Sequence, residues 1–224
     1  MELRFLGHAA FQLTDGATTV LIDPFLTGNP RAAASADELD ATTILVSHGH
    51  GDHVGDTVAI AKRTGATVVA VVELANEIGG EGVDVRDPNL GGTVAFDWGS
   101  VKLVPAWHTS TSPGGTPSIA CGLLVEFGGT TIYHLGDTCL FSDLQLVGRT
   151  REIDVALMPI GGHYTMDRHD AVEAARLVGA RTVIPIHYDT FPPIETDAQA
   201  FKADVESATS SQVVVLEPGA TWSP

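Results

Sequence analysis

This chain contains the unusual run Ser-His-Gly-His-Gly-Asp-His at residues 47–53. It places three histidines and one aspartate directly after Thr42–Val46, which has the β-branched, apolar pattern of a buried strand. Because α/β proteins place ligands at the carboxyl ends of such strands, these side chains are expected to face a ligand. Imidazole nitrogens suit borderline divalent metals, and the carboxylate supplies negative charge. Gly49 and Gly51 would give the backbone the freedom to aim successive side chains inward. The run therefore predicts a metal site.

The order of predicted elements indicates an α/β fold. Short β-type runs occupy the beginning and the middle of the chain, and each set is followed by alternating strands and helices. The predicted helices are Asp56–Arg63, Glu73–Ile78, Asp170–Val178 and Ala198–Ala208, and the last predicted strand is Val213–Leu216. This order favours two mixed β-sheets packed face to face with helices on the outer faces, a four-layer αβ/βα sandwich. Periodicity alone would also allow one doubly wound sheet. We expect one domain over residues 1–224, because no linker divides the chain.

The motif His-x-His-x-Asp-His after an apolar strand resembles the signature of the metallo-β-lactamase-fold hydrolases. Further segments are similar to the UPF0173-like family of bacterial and archaeal metal-dependent hydrolases, which is related to ascorbate-6-phosphate lactonases and N-acyl-phosphatidylethanolamine phospholipase D. These segments are Gly7–Ala9, Ile22–Pro30, Tyr164–Met166 and Pro185–Tyr188. The resemblance extends over essentially the whole chain. It implies the four-layer fold and a metal-dependent hydrolase.

The resemblance also implies a two-metal site, because the later ligands of the superfamily have counterparts at predicted strand ends. By resemblance, His48, His50 and His108 would hold one metal, while Asp52, His53 and His187 would hold the second. Asp137 would bridge the two, and Asp52 and Asp137 are the expected catalytic carboxylates. Zinc is the expected metal, with manganese, iron, nickel or cobalt as alternatives.

Several other residues are expected to support the metal ligands or to contact the substrate. Asp23 ends a predicted buried strand, where a hydrogen bond to a ligand histidine would compensate the burial of its carboxylate. His8, His163 and Thr165 are candidates for contacts to a ligand or to the substrate.

Three further residues are given structural interpretations. His134 is expected to be a hydrogen-bonded core histidine, Cys139 a small buried side chain, and His169 a solvated residue at a helix start.

The composition excludes several classes of partner. The chain has 28 acidic and 12 basic residues, a formal net charge of −16, which repels phosphate backbones and anionic membranes. No apolar run approaches the roughly 18–20 residues that span a bilayer. Two cysteines are too few for a disulfide framework, and no leader-like segment precedes the first predicted strand. We therefore expect a cytoplasmic protein acting on a small anionic molecule, without a nucleic-acid or membrane partner. A homo-oligomer is left open.

Three functions are compatible with these residues. The favoured one is a hydrolase that uses a metal-bridging hydroxide to attack a small phosphodiester or a phosphorylated lactone. The second is a carbonyl hydrolase of thioesters, lactones or β-lactams, which would use the same ligands. The third is a non-catalytic metal-binding scaffold protein, which the complete ligand set argues against. The chain has no Gly-x-Ser-x-Gly elbow and no Walker loop, so no protein nucleophile is evident.

Overall fold

The computed structural model describes residues 1–224, whose strands form two sheets of seven strands each. The strands are β1 (Glu2–Gly7), β2 (Ala10–Asp15), β3 (Thr18–Ile22), β4 (Thr43–Leu45), β5 (Thr67–Val69), β6 (Val85–Arg86), β7 (Thr93–Phe96), β8 (Gly99–Pro105), β9 (Cys121–Phe127), β10 (Thr130–His134), β11 (Val155–Pro159), β12 (Thr182–Ile186), β13 (Gln212–Val213) and β14 (Thr221–Trp222). The helices are α1 (Gly51–Val54), α2 (Thr57–Thr64), α3 (Val72–Gly80), α4 (Leu144–Thr150), α5 (Arg168–Val178) and α6 (Ala198–Ala208). Two short 3₁₀ turns lie at Ala36–Glu38 and Pro192–Ile194.

Both sheets are mixed and follow the same plan. The first has the order β14-β1-β2-β3-β4-β5-β6, antiparallel as far as β3 and parallel from there on. The second has the order β13-β12-β11-β10-β9-β8-β7, with an antiparallel meander from β7 to β10 and parallel strands beyond it. This arrangement confirms the predicted pair of mixed sheets and rules out a single doubly wound sheet.

Two apolar clusters hold the layers together. The larger one includes inward-facing residues of both sheets, such as Ile22 and Leu45 from the first and Leu103 and Leu123 from the second. The smaller one joins the outer face of the second sheet to α4, α5 and α6, with Phe201 fully buried. Burial of apolar surface on both faces of each sheet stabilises the four-layer arrangement.

Local sequence explains where the regular elements begin and end. All five residues of β11 are buried, as expected for a parallel strand covered on both faces. Helix α5 begins at Arg168 because the Asp167 side chain accepts hydrogen bonds from the backbone N–H groups of His169 and Asp170. It ends at Val178 and is capped by Gly179, which adopts the left-handed conformation with φ of 65°.

The sequence interpretation missed four elements. The short strands β6 and β14 exist only through pairing with neighbouring strands, and helix α1 is a single turn within the histidine run. Helix α4 contains Gly148, which lowers helix propensity but is needed there, since a Cβ would overlap the carbonyl oxygen of Val178 in α5. The predicted strand Val213–Leu216 is replaced by the shorter β13.

None of the six helices is both long and apolar enough to cross a bilayer.

Candidate metal centre

The histidine run and the later predicted ligands meet at one edge of the two sheets. The run follows β4 of the first sheet, whereas His108, Asp137 and His187 follow β8, β10 and β12 of the second. His8 joins them from the turn between β1 and β2. The site is therefore assembled from both sheets. Its most distant residues in the sequence, His8 and His187, are 179 positions apart.

Three histidines form one group that could hold a metal ion. The group consists of His48, His50 and His108. Nε2 of His48 lies 3.1 Å from Nδ1 of His50, and the ring of His108 is 5.2 Å and 5.1 Å from these two rings. His48 is fully buried, while His50 and His108 are partly exposed.

A second group contains Asp52, His53 and His187, together with His8. Their candidate ligand atoms all lie within 4.8 Å of one another. Nε2 of His187 lies 4.0 Å from Oδ2 of Asp52, and Nε2 of His8 lies 3.3 Å from the same oxygen. Burial lowers the pKa of His8 to about 4, so this ring is neutral at pH 7.

Asp137 lies between the two groups and contacts both. Its Oδ1 is 3.3 Å from Nε2 of His53, and its Oδ2 is 3.1 Å from Nε2 of His187. The same Oδ2 lies 3.5 Å from Nε2 of His108 and 3.8 Å from Nε2 of His48. One carboxylate therefore reaches side chains of both predicted metal positions.

Asp137 and His53 each stabilise the charged form of the other. Burial alone would raise the pKa of Asp137, but the charges of His187 and His53 outweigh it and hold that pKa well below its usual range. Burial alone would lower the pKa of His53, but Asp137 and Asp23 outweigh it and raise that pKa well above its usual value. The two carboxylates thus favour a positive charge at His53, whether a proton or a metal cation carries it.

Asp23 fixes the orientation of His53. Its carboxylate accepts hydrogen bonds from Ser47 N at 2.7 Å, from Ser47 Oγ at 2.6 Å and from His53 Nδ1 at 2.8 Å. Because Nδ1 of His53 is engaged with Asp23, Nε2 is directed toward Asp137. The predicted hydrogen bond between Asp23 and a candidate ligand histidine is present.

The backbone around the site is strained. Only five non-glycine residues have positive φ, and three of them are His8 at 59°, Asp23 at 43° and His187 at 55°. Such conformations cost of order 1–3 kcal/mol each and tend to cluster at functional sites. Gly49 and Gly51, by contrast, do not have positive φ. Gly49 is needed for close packing instead, since a Cβ there would lie 2.9 Å from Ser112 N.

The buried polar atoms that lack a hydrogen-bond partner in the protein lie almost entirely in this cluster. They include Nε2 of His8, Nε2 of His53, Oδ1 of Asp137 and Nε2 of His187. Buried polar atoms are normally paired, so their concentration here indicates a ligand.

Two donor atoms bound at about 2.0–2.1 Å to one tetrahedral zinc lie about 3.3–3.4 Å apart. The contacts of 3.1–3.8 Å at Asp137 are close to that spacing, so the residues fit a divalent metal.

An open cavity of about 370 Å³ leads to these side chains. Its lining residues are His50, Asp52, His108, Thr109, Asp137, Tyr164 and His187. The loop after β11 thus contributes Tyr164 to the wall, rather than the predicted His163 and Thr165. His163 is exposed with its ring edge-on to Tyr164, and the Thr165 hydroxyl donates a long hydrogen bond to Met166 O. Thr109 also lines the cavity, and only its position next to His108 in the sequence could have indicated this.

The structure separates three other polar residues from the cluster. His134 is fully buried, with Nε2 donating to Ala9 O and Nδ1 accepting from Gly136 N, as expected of a core histidine. His169 is exposed at the start of α5, as expected. The prediction that Cys139 is buried is wrong, because this residue lies on an exposed loop. The backbone N–H of Cys139 donates a hydrogen bond to Trp107 O.

Comparison with known proteins assigns the family. The model of the Beta-lactamase superfamily domain matches residues 2–187. A UPF0173 metal-dependent hydrolase from Pelotomaculum thermopropionicum is 49% identical over 224 residues, covering 98% of each chain. This chain belongs to the UPF0173 family of metal-dependent hydrolases. Another member, from Methanopyrus kandleri, is 46% identical and covers 99% of both chains.

A solved structure extends the relationship to three dimensions. A metallo hydrolase from the hyperthermophilic archaeon Ignicoccus hospitalis matches this UPF0173 chain with a TM-score of 0.90 at 35% identity, covering 99% of this chain and 97% of that one. The predicted metallo-β-lactamase fold and metal-dependent hydrolase family are thereby confirmed.

The contacts of Asp23 lead to a prediction about stability. Asp23→Asn keeps the size of the side chain but removes its charge and one acceptor oxygen, leaving Ser47 and His53 incompletely paired in the interior. We expect the free energy of unfolding of the metal-free protein to fall by about 3 kcal/mol at pH 7. Urea unfolding followed by circular dichroism measures this. The exposed Asp37→Asn is the matched control and should change stability by less than about 0.5 kcal/mol. Equal effects of the two variants would contradict the interpretation.

Proposed function

We propose that the cluster binds two divalent metal ions and hydrolyses a small anionic substrate, a phosphodiester or a phosphorylated lactone. His48, His50 and His108 would hold one ion, and Asp52, His53 and His187 the other. The observation that carries the proposal is the position of Asp137, whose carboxylate contacts histidines of both groups. A carboxylate with this placement is suited to be shared between two ions.

The donor set is compatible with several metals. Five histidines and two carboxylates provide neutral nitrogen and charged oxygen donors, which zinc accepts readily. Manganese, iron, nickel or cobalt would also suit these donors, and availability often decides among them. When bound, such ions make a water molecule more acidic and stabilise negative charge that develops in the transition state.

The protein's own groups orient this chemistry. Asp23 holds His53 through Nδ1, and Ser47 Oγ lies 3.1 Å from Nδ1 of His48, so both rings present Nε2 to the centre. Such contacts fix the tautomer and the direction of ligand histidines. Asp52 and Asp137 are the only carboxylates that line the cavity, and we assign to them the handling of protons near the scissile bond.

The size and charge of the surroundings favour a compact substrate. The cavity of about 370 Å³ accommodates a small molecule. Tyr164 at its wall is 54% exposed, so its ring is accessible to such a molecule. Two divalent ions would exceed the charge of the two lining carboxylates, so the centre would attract a small anion. The rest of the protein, with a formal net charge of −16, repels a large polyanion before it reaches the cavity. This charge distribution supports a small-molecule substrate and no nucleic-acid partner.

We further propose a cytoplasmic location. Both cysteines are free thiols, which suits a reducing compartment.

The bridging assignment predicts the consequence of removing Asp137. Asp137→Ala should lower bound metal from about two ions per chain to fewer than one and reduce hydrolysis by at least about a hundredfold, since both positions lose a shared ligand. Metal content is measured by inductively coupled plasma mass spectrometry after reconstitution and gel filtration. The surface variant Asp37→Ala is the control. Full metal content and wild-type turnover in Asp137→Ala would contradict the assignment.

The charge argument predicts the order of substrates. A small phosphodiester or phosphorylated lactone should be hydrolysed with higher kcat/KM than a thioester, an unphosphorylated lactone, a β-lactam or RNA. Raising the salt concentration should help RNA more than the small ester, because screening acts on the repulsion between the acidic surface and the polyanion. Initial rates with the metal-loaded enzyme measure this. Preference for the thioester or lactone would assign the carbonyl-hydrolase alternative, and efficient RNA cleavage at low salt would overturn the charge argument.

A further inference from the structure

We propose that His8 is itself a metal ligand, and that its Nε2 completes one metal position together with Asp52, His53 and His187. The inference rests on the proposed metal centre and changes its composition. The sequence predicts only that His8 contacts a ligand residue or the substrate. The structure places it among the candidate donors themselves, and four observations support the stronger role.

The first observation is the backbone of the turn between β1 and β2. His8 adopts φ of 59°, and its carbonyl oxygen accepts a hydrogen bond of 2.8 Å from the N–H of His187. Glycine would take this conformation at no steric cost, so a histidine there bears a strain that the hairpin itself does not require. The bond also links the backbone of His8 directly to that of another proposed ligand.

The second observation concerns Nδ1 of His8. It lies 2.8 Å from Oγ1 of Thr190, whose hydroxyl donates a long hydrogen bond of 3.4 Å to Tyr188 O. With the hydroxyl proton directed at that carbonyl, Oγ1 accepts the proton of Nδ1. Because a neutral imidazole carries a single N–H, Nε2 is then left with a free lone pair, the form in which histidine binds metals.

The third observation is the environment of that lone pair. Nε2 is buried and has no hydrogen-bond partner in the protein, a condition that it shares with Nε2 of His53 and Nε2 of His187. The rings of His8 and His187 lie 4.1 Å apart between centroids, and those of His8 and His53 lie 5.6 Å apart. The contact with Asp52 does not have hydrogen-bond geometry, although the two atoms are close.

The fourth observation is the spacing of the atoms. Nε2 of His8 and Oδ2 of Asp52 are 3.3 Å apart, a separation that allows both atoms to bind one ion at about 2.0–2.1 Å. A residue that only oriented Asp52 would direct an N–H at the carboxylate. In the tautomer assigned from Thr190, Nε2 of His8 carries no proton and faces the same space as the other donors, which is the arrangement of a ligand.

The number of metal-bound imidazoles in the unaltered protein tests this directly. The protein is labelled with ¹⁵N-histidine, loaded with ¹¹³Cd, and examined for histidine nitrogens that show coupling to cadmium. We expect six coupled rings, those of His8, His48, His50, His53, His108 and His187, whereas the centre without His8 would give five. Five coupled rings in protein that binds two cadmium ions would overturn the role of His8 alone. Protein that binds no cadmium would instead contradict the proposed metal centre.

Substitution identifies the sixth ring and measures its effect. His8→Asn suits positive φ but is too short to reach the centre, and His8→Gly leaves room for added imidazole. Each should lose one coupled ring and weaken binding of one of the two ions by at least about tenfold in chelator competition, and imidazole should restore binding to His8→Gly. The exposed His169→Asn is the matched control and should bind both ions as the wild type does. An unchanged number of coupled rings with weakened binding would assign His8 to positioning Asp52 and overturn the proposal.

Discussion

The buried carboxylates Asp137 and Asp23 are the constraint on which the site depends. Asp137 is 2% exposed and Asp23 is fully buried, and neither has a lysine or arginine within 4.0 Å. Ionised groups removed from water must be paired, because their desolvation costs several kcal/mol each. Four histidine nitrogens lie within 4.0 Å of Asp137 instead, and Asp23 has Nδ1 of His53 beside its two hydrogen bonds from Ser47. These nitrogens can carry protons or bind cations. A metal centre would satisfy this need better than protons do, since it would engage the unpaired Nε2 atoms of His8, His53 and His187 together.

The two-sheet fold explains why such a cluster can form. Each sheet has an antiparallel meander followed by parallel strands, and the segments after β4, β8, β10 and β12 all reach the same edge. One sheet supplies the histidine run and the turn containing His8, and the other supplies His108, Asp137 and His187. The tight packing between the sheets therefore holds the two halves of the site in register. The strained backbone at His8, Asp23 and His187 is tolerated because that packing and the shared hydrogen bonds over-determine it.

The sequence predicted the parts of this arrangement that depend on local pattern. The dense run at residues 47–53, the parallel strands and the separate polar residues at strand ends were all recognisable, and the family resemblance ordered them. The sequence alone could not predict which residue of the loop after β11 lines the cavity. That Tyr164 does so, and not His163 or Thr165, depends on the path of the loop. The burial of Cys139 was wrong for a similar reason, since hydrophobic character alone does not decide the exposure of a loop residue. The orientation of His8 depends on Thr190, 182 residues away, and no local pattern contains it.

Anomalous diffraction can show whether Asp137 is shared between two metal ions, as we propose. Crystals of the reconstituted protein would be measured on both sides of the absorption edge of the metal found in solution. We expect two anomalous peaks, one on each side of the Asp137 carboxylate. One should lie beside His48, His50 and His108, and the other beside Asp52, His53 and His187. A single peak at full occupancy, beside only one of these groups, would contradict this proposal.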